Sequence, residues 1–211
     1  MKILVIGASQ GTGALAVQAA LAKGAAVTAF ARSPDRLPVR HEALARVAGN
    51  FHDRASVAAA VPGHDAVIVT ASATRLSAFK ENPHYFSQGT GYVIEAMKAK
   101  GVKRLVILSA LGTGESRALL PAPMRWLVVD GLLKTPFADH VRQEAQVRES
   151  GLEWVIARPG RLTNGPARLR YVKQPALKKV PSAISRADVA DFLVEAATGD
   201  AWVGKAVQLG G

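Results

Sequence analysis

Three glycines near the start of the chain form the pattern best suited to binding an anion. Gly7, Gly11 and Gly13 follow a short apolar run at residues 3–6, and an alanine- and leucine-rich stretch occupies residues 12–23. A strand, a glycine-rich turn and a helix in this order form the first half of a nucleotide-binding βαβ unit. Because glycine has no Cβ, a diphosphate can lie against the backbone, facing the free N–H groups and the dipole of the helix. The pattern predicts a dinucleotide site.

The end of the second predicted strand indicates which dinucleotide is bound. An acidic residue at this position would accept hydrogen bonds from the ribose 2′-hydroxyl of NAD. Here the chain reads Phe-Ala-Arg-Ser at residues 30–33, and the first acid after it is Asp35. The guanidinium of Arg32 can pair with a 2′-phosphate, and the hydroxyl of Ser33 can add a hydrogen bond. We therefore expect NADP(H) to be favoured over NAD(H).

Small and polar residues follow the third and fourth predicted strands. Asn50 and Phe51 come after the third strand, at the position that usually flanks the adenine in this type of fold. The amide of Asn50 can bond the exocyclic amine of an adenine. Ala71, Ser72 and Ala73 come after the fourth strand, where small side chains let the backbone approach a cofactor ribose. We predict that all five contact the cofactor.

Two side chains further along the chain are candidates for the chemical step. Ser109, followed by Ala110, comes after the fifth predicted strand and would place a hydroxyl near a nicotinamide. His140 lies in a predicted helix and can act as a proton donor, since an unperturbed imidazole has a pKa of about 6.5. Two other roles for His140 stay open. The imidazole either hydrogen-bonds the nicotinamide or a phosphate, or simply lines its helix.

Strand-like and helix-like segments alternate along the whole chain and would position these residues. The predicted strands are residues 3–6, 26–31, 46–48, 66–71, 104–109, 154–157 and 205–209. The predicted helices are residues 12–23, 55–60, 85–100, 138–149 and 186–197. Such alternation predicts a doubly wound parallel sheet with helices on both faces, the Rossmann type of α/β fold. We expect one domain over residues 1–211.

Two irregular segments interrupt this alternation. Residues 115–136 contain three prolines and an apolar patch, and residues 159–181 contain four prolines and many basic residues. Both segments follow the carboxyl ends of predicted strands, the edge at which open α/β sheets bind ligands. We therefore expect them to form the walls of a substrate pocket. The apolar patch can equally be ordinary core or a dimer contact.

The composition limits the possible functions. The chain has no cysteine, which excludes disulfides, thiolate zinc sites and a cysteine nucleophile. The net charge is +11 and no acid lies between Glu153 and Asp188. The resulting local positive field favours anionic ligands such as phosphates, carboxylates or nucleic acid, and the alternative is a solvated basic face. No nucleic-acid motif accompanies the basic stretch, and the five scattered histidines lack metal-ligand spacing.

No apolar run reaches the roughly 18 residues that a membrane span needs. The glycine turn and the predicted helix behind the first strand favour a folded start over a signal peptide. We therefore expect a cytoplasmic protein that is a monomer or a homodimer, with no bound metal and no membrane or nucleic-acid partner.

Five short segments resemble the atypical short-chain dehydrogenase/reductase superfamily. They are the glycine turn at residues 7–13, Ala-Arg-Ser at 31–33, Leu-Ser-Ala at 108–110, the segment 147–154 and Arg-Pro-Gly at 158–160. Asp-His-Val-Arg at 139–142 is particularly similar to the group that contains NmrA-like proteins and biliverdin reductase B-like flavin reductases. The resemblance covers essentially the whole chain and implies a Rossmann fold with NADP along the carboxyl edge of the strands.

The resemblance also implies a set of cofactor or pocket residues. They are Gly7, Ser9, Gln10, Gly11, Thr12, Arg32, Ser33, Asn50, Phe51, Ala71, Ser72, Ser109, His140, Pro159 and Arg161. Arg161 stands where the biliverdin reductase-like pattern has a pocket histidine. An arginine there would bind a carboxylate or a phosphate, such as the tail of FMN.

One departure from the superfamily bears on the chemistry. Its dehydrogenases use a Tyr-x-x-x-Lys pair, in which the lysine lowers the pKa of the tyrosine. None of the three tyrosines here has a lysine four residues later, and His140 and Glu144 stand where the pair would be expected. We therefore expect a reductase that delivers hydride from NADPH to a planar conjugated acceptor, such as a flavin, a quinone or a tetrapyrrole. The alternative is a non-catalytic, NmrA-like redox sensor, and sugar-nucleotide epimerase chemistry ranks last.

Overall fold

A mostly parallel sheet of eight strands runs through the part of the chain that the computed structural model describes, residues 1–73 and 75–211. Its strands are β1 (Lys2–Ile6), β2 (Ala26–Ala31), β3 (Leu44–Ala48), β4 (Ala66–Val69), β5 (Arg104–Leu108), β6 (Glu153–Pro159), β8 (Val172–Gln174) and β10 (Lys205–Gly210). They lie in the order β3-β2-β1-β4-β5-β6-β10-β8, and only β8 is antiparallel to its neighbour. The strands β7 (Arg161–Thr163) and β9 (Ala183–Ser185) pair separately.

Helices cover both faces of this sheet. They are α1 (Gly11–Ala22), α2 (Arg54–Ala60), α3 (Ala78–Glu81), α4 (Tyr85–Lys100), α5 (Ala122–Met124), α6 (Lys134–Arg148) and α7 (Arg186–Thr198). One face packs against α1 and α7, and the other packs against α2, α4 and α6. Strand β1 illustrates the cause, because successive side chains of a strand point to opposite faces. Ile3 and Val5 belong to the first core, and Leu4 and Ile6 to the second.

The predicted doubly wound α/β fold is confirmed. Strands β1, β4 and β5 are buried over nearly their full length, as the unbroken apolar runs predict for strands with helices on both faces. The strand order β3-β2-β1-β4-β5-β6 brings the carboxyl ends of the parallel strands to one edge. The glycine turn, Arg32, Asn50 and Ser109 all follow strands that end there.

The irregular segments contain more regular structure than the sequence predicts. The prediction that α6 begins at residue 138 is wrong, since the helix begins at Lys134 and contains Pro136 in its first turn. A proline is tolerated there because the N–H groups of the first turn have no partner within the helix. Before it lie a 3₁₀ turn (Gly114–Leu119), α5 and a π-helical segment (Arg125–Leu132). Within residues 159–181 the chain forms β7 and β8.

Within the described ranges, no helix is long and apolar enough to cross a bilayer.

Candidate functional site

A cleft of about 310 Å³ opens at the carboxyl ends of β1 to β4. The loops that follow these four strands form most of its wall, and α3 and the start of α4 close the outer side. The lining residues are Ile6, Gly7, Ser9, Gln10, Phe30, Ala31, Arg32, Gly49, Asn50, Phe51, His52, Ala71, Ser72, Ala78, Glu81, Asn82 and Tyr85. Eight of the predicted cofactor residues are thus brought together: Gly7, Ser9, Gln10, Arg32, Asn50, Phe51, Ala71 and Ser72.

The glycine turn has the tight geometry that a bare backbone permits. Gly7 has a φ of +88°, and a Cβ on it would lie 2.7 Å from the backbone nitrogen of Ala71. A Cβ on Gly13 would lie 2.2 Å from the carbonyl oxygen of Gly7, so Gly13 lets α1 pack onto the turn. The residue before α1, Gln10, makes no side-chain cap, so no side chain of its own covers the first N–H groups of the helix. The turn therefore offers positively polarised N–H groups at one end of the cleft.

Arg32 supplies a positive charge to the cleft at the end of β2. Its side chain is exposed, and in residues 1–73 and 75–211 it takes part in no salt bridge. Arg32 lines the same cleft as the rings of His52 and Tyr85. Burial lowers the pKa of His52, and the charge of Arg32 lowers it further. Burial raises the pKa of Tyr85, and Arg32 opposes that rise. An arginine without a carboxylate partner is free to donate hydrogen bonds to a phosphate.

The loop after β3 holds its polar groups in a fixed turn. The side-chain oxygen Oδ1 of Asn50 accepts a hydrogen bond from the backbone N–H of His52 at 3.1 Å. The backbone N–H of Asn50 donates to Oγ of Ser56 at 3.2 Å. Phe51 is 7 % exposed, and a Cβ on Gly89 would lie 2.4 Å from its ring. The ring of Phe51 therefore lies mostly in the core beneath the cleft, packed against α4.

The sequence did not indicate two of the rings that line the cleft with Arg32. His52 and Tyr85 meet edge to face, with ring centroids 4.3 Å apart. Both ring nitrogens of His52 are buried without a hydrogen-bond partner in the described structure. No spacing in the sequence links these residues, because they lie on different elements, and α3 beside them was not predicted. The sequence also contained no indication that Ala78, Glu81 and Asn82 line the cleft, because α3 was not predicted.

Ser109 lies on the neighbouring part of the sheet edge and is tied into a buried network. Its hydroxyl donates a hydrogen bond to Oε1 of Glu144 at 2.7 Å. Arg158 donates from Nε to the same oxygen at 2.9 Å and also binds both oxygens of Glu115, at 3.0 and 3.1 Å. Ser109 and Glu144 are at most 5 % exposed, and Arg158 is completely buried. The hydroxyl proton of Ser109 is therefore held by a carboxylate, and its oxygen is left to accept a hydrogen bond.

His140 is held one helical turn before Glu144 on α6. Its ring stacks on Phe86 with centroids 4.0 Å apart and an angle of 12° between the planes. Its Nδ1 lies 2.8 Å from Oε1 of Gln143, whose amide nitrogen donates to Thr90. Since that amide oxygen only accepts, Nδ1 carries the proton, and in the neutral ring Nε2 carries the lone pair. Burial lowers the pKa of His140, which favours this neutral form near pH 7.

A carboxylate next to His140 fixes α6 against the start of α4. Asp139 is completely buried, and its Oδ2 accepts a hydrogen bond from the backbone N–H of Phe86 at 2.5 Å. Its Oδ1 accepts from the hydroxyl of Ser87 at 2.5 Å. A carboxylate at this place satisfies free N–H groups in the first turn of α4 and complements the helix dipole. Asp139 thereby positions Tyr85 and His140 together.

The other predicted residues lie outside the cleft lining. Thr12 is buried in the first turn of α1, and Ser33 is exposed beside Arg32. Ala73 directly follows Ser72 in the chain. The loop that contains Ala110 is held to β6 by a hydrogen bond from the N–H of Leu111 to the carbonyl oxygen of Pro159, at 2.9 Å. Arg161 is exposed at the start of β7. Contact between these residues and a cofactor stays a prediction.

A comparison with known families identifies the family of this chain. A family described as NAD(P)H-binding matches residues 7–200. The chain belongs to this NAD(P)H-binding family. Among curated relatives, UPF0659 protein YMR090W of Saccharomyces cerevisiae is 30 % identical over 92 % of this chain and 86 % of its own length. An uncharacterized chloroplastic protein of Arabidopsis thaliana is 27 % identical over 92 % of this chain and 71 % of its own length.

Solved structures show the same architecture. A short-chain dehydrogenase/reductase of Veillonella parvula in complex with NADP superposes with a TM-score of 0.83 at 20 % identity, over 100 % of this chain and 94 % of that chain. The anaerobillin reductase ChuY of Escherichia coli O157:H7 superposes with a TM-score of 0.82 at 23 % identity, over 100 % and 97 %. The predicted membership in a dinucleotide-binding Rossmann family is confirmed. The glycine turn and the uncompensated charge of Arg32 suit a nicotinamide dinucleotide.

Proposed function

We propose that this protein is an NADPH-dependent reductase that acts on a planar conjugated acceptor. The observation that carries the proposal is the cleft itself, in which a glycine turn and an exposed arginine line one edge of a parallel sheet. A bound nicotinamide coenzyme would supply a hydride at this edge. The residues of the chain then have to bind the coenzyme, align the acceptor and let one proton reach the reduced product.

The preference for NADPH over NADH rests on Arg32. NADPH carries a 2′-phosphate that NADH lacks, and a charge-assisted hydrogen bond to a phosphate is stronger than one between neutral groups. The cleft also exposes Glu81, which lies on α3 rather than at the end of β2, where an acid would bind the ribose 2′-hydroxyl of NAD.

The proposed acceptor class is supported by the side chains that stand in place of a tyrosine–lysine pair. His140 and Glu144 stand where a Tyr-x-x-x-Lys pair is expected, and the neutral His140 offers a lone pair at Nε2 rather than a proton. The hydroxyl of Ser109 donates a hydrogen bond to Glu144 and is not free to donate one to a substrate. Reduction of an electrophilic ring depends mainly on alignment, so solvent can provide the proton. The name of the E. coli neighbour as an anaerobillin reductase supports tetrapyrroles among the candidate acceptors.

The same features support a second candidate, a redox sensor that binds NADP(H) without turnover. The hydrogen bond between Ser109 and Glu144 favours the sensor, because it engages both the hydroxyl and the carboxylate near the expected nicotinamide position. We further propose that the protein acts in the cytoplasm, as a monomer or a homodimer, on a small anionic or planar molecule rather than on a nucleic acid. An exposed Arg161 could bind the phosphate of FMN.

A direct assay separates the two candidates. NADPH oxidation is followed at 340 nm with FMN, riboflavin, a panel of small quinones and a linear tetrapyrrole, with NADH in parallel. Turnover with NADPH well above that with NADH is the result expected for the reductase. Tight NADPH binding without turnover on every acceptor would favour the sensor, and absence of binding would contradict both.

A further inference from the structure

An arginine from the far end of the chain lies over the start of α1. Arg186 is the first residue of α7, and its Nε is 4.0 Å from the position that a Cβ on Gly11 would occupy. Gly11 is the first residue of α1 and has a φ of +58°. The guanidinium therefore stands beside the glycine turn, on α7, which packs against α1. No pattern in the sequence places Arg186 there.

The charge of Arg186 is not neutralised by its surroundings. Its Nη1 donates to Oδ1 of Asn164 at 2.6 Å, and this partner is a neutral amide. In the described part of the chain no carboxylate forms a salt bridge with Arg186, whereas Arg158 and Lys173 in the same basic stretch are both paired. The amide of Asn164 thus orients the guanidinium without cancelling its charge.

The nearest acid in sequence is engaged elsewhere. Asp188 is 1 % exposed, and its Oδ1 accepts hydrogen bonds from the backbone N–H groups of Arg168 and Leu169 at 2.8 and 2.9 Å. Its Oδ2 accepts from the hydroxyl of Ser185 at 2.7 Å. Asp188 therefore stabilises the loop before β8 and the first turn of α7. This arrangement keeps the positive charge of Arg186 available to an external anion.

We propose that Arg186 binds the diphosphate of the dinucleotide, opposite the backbone N–H groups of the glycine turn, and that Asn164 positions it. The inference rests on the proposed binding of NADP(H) and adds a residue to it. Two arginines then bind different phosphate groups of the cofactor. Arg32 recognises the 2′-phosphate, which only NADPH carries, while Arg186 recognises the diphosphate, which NADPH and NADH share. Arg186 therefore contributes affinity without discriminating between the two coenzymes.

Calorimetric titration with three ligands tests this division. The ligands are NADPH, NADH and adenosine 2′-monophosphate, which has the 2′-phosphate but no diphosphate. We expect Arg186→Gln to weaken NADPH and NADH by a similar factor, about tenfold to a hundredfold for the loss of a charge-assisted contact to phosphate. Adenosine 2′-monophosphate should bind Arg186→Gln as it binds the native protein. Arg32→Gln should give the opposite pattern, weakening NADPH and adenosine 2′-monophosphate and sparing NADH.

The matched control is Arg170→Gln, which removes the same charge from an exposed residue of the same basic stretch. It should leave all three dissociation constants within about twofold, since Arg170 does not line the cleft and an exposed charge is screened by salt. Unchanged NADPH affinity in Arg186→Gln would overturn the inference, and so would a loss confined to NADPH. If the native protein binds neither dinucleotide, the proposed function itself fails.

A second variant guards against misfolding of the first. Circular dichroism and the melting temperature establish whether Arg186→Gln is folded. Asn164→Ala keeps Arg186 but removes the amide that orients it, and Asn164 is exposed, so the fold should tolerate the change. We expect a loss of several-fold in affinity for both dinucleotides. Native affinity in Asn164→Ala would contradict the positioning role of Asn164. If Arg186→Gln does not fold, native affinity in Asn164→Ala would by itself overturn the inference.

Discussion

Arg158 and Glu144 form an ion pair inside the protein, with side chains 0 % and 4 % exposed. Glu144 also accepts the hydroxyl of Ser109, and Arg158 also binds Glu115 in the 3₁₀ turn after β5. The pair thereby joins β6, α6 and that turn behind the sheet edge where the nicotinamide is expected. Glu144, which stands where part of the tyrosine–lysine pair would be expected, is thus engaged in a buried ion pair.

Removing one partner of this pair should destabilise the fold strongly. In Glu144→Gln the guanidinium of Arg158 keeps a buried charge without its closest counter-ion, and loss of one partner of a buried pair costs about 3–5 kcal/mol. Urea unfolding measures the change. Glu95→Gln is the control, because it breaks an exposed pair with Arg54 and should change stability little. Equal, small effects in both variants would show that the buried pair is not what holds this region together.

The stability of the protein should depend on pH through His140. Burial lowers the pKa of His140 in the folded state, so protonation favours the unfolded chain. Its contribution to the free energy of unfolding is present above the unfolded pKa of about 6.5 and is lost as the pH falls below that value. Native protein should therefore lose more stability between pH 7.5 and pH 5.5 than His140→Asn does. Parallel losses, measured by urea unfolding at the two pH values, would contradict the lowered pKa.

The coenzyme preference should move when the charge at the end of β2 is reversed. Arg32→Asp removes the group expected to bind the 2′-phosphate and adds an acid that can accept from a ribose 2′-hydroxyl. We expect kcat/KM for NADPH to fall by at least about tenfold relative to that for NADH. Arg36→Gln serves as the control, because Arg36 is exposed nearby but does not line the cleft. An unchanged ratio in Arg32→Asp would remove the basis for preferring NADPH.

Two glycines in α4 should respond to alanine in opposite ways. A Cβ on Gly89 would lie 2.4 Å from the ring of Phe51, whereas one on Gly91 meets nothing closer than 4.0 Å. Gly91→Ala should raise stability by about 0.5–1 kcal/mol, the usual gain for alanine over glycine in a helix. Gly89→Ala should lower it by about 1–3 kcal/mol through overpacking and should weaken NADPH binding by displacing the loop after β3. Thermal unfolding and titration of both variants check the contrast.

The features that could be predicted from the sequence are those encoded in neighbouring residues. The apolar runs of β1, β4 and β5 and the spacing of Gly7, Gly11 and Gly13 are local patterns, and they predicted the parallel sheet and the glycine turn at its carboxyl edge. The position of Arg32 at the end of β2 likewise follows from counting along the chain. The boundaries of β2 and α4 are as predicted. Each of these depends on the period of a strand or helix and on the turn that ends it.

The tertiary structure decided which side chains meet, because contacts between distant residues leave no periodic signal. It placed His52 against Tyr85, joined Ser109 to Glu144 and brought Arg186 over Gly11. It also put the ring of Phe51, which the sequence assigned to the adenine, largely into the core, because Gly89 leaves room for it there. The sequence by itself determined the fold and the sheet edge at which a ligand is expected, while the packing of helices onto the sheet determined which side chains meet at that edge and in which direction burial shifts their pKa values.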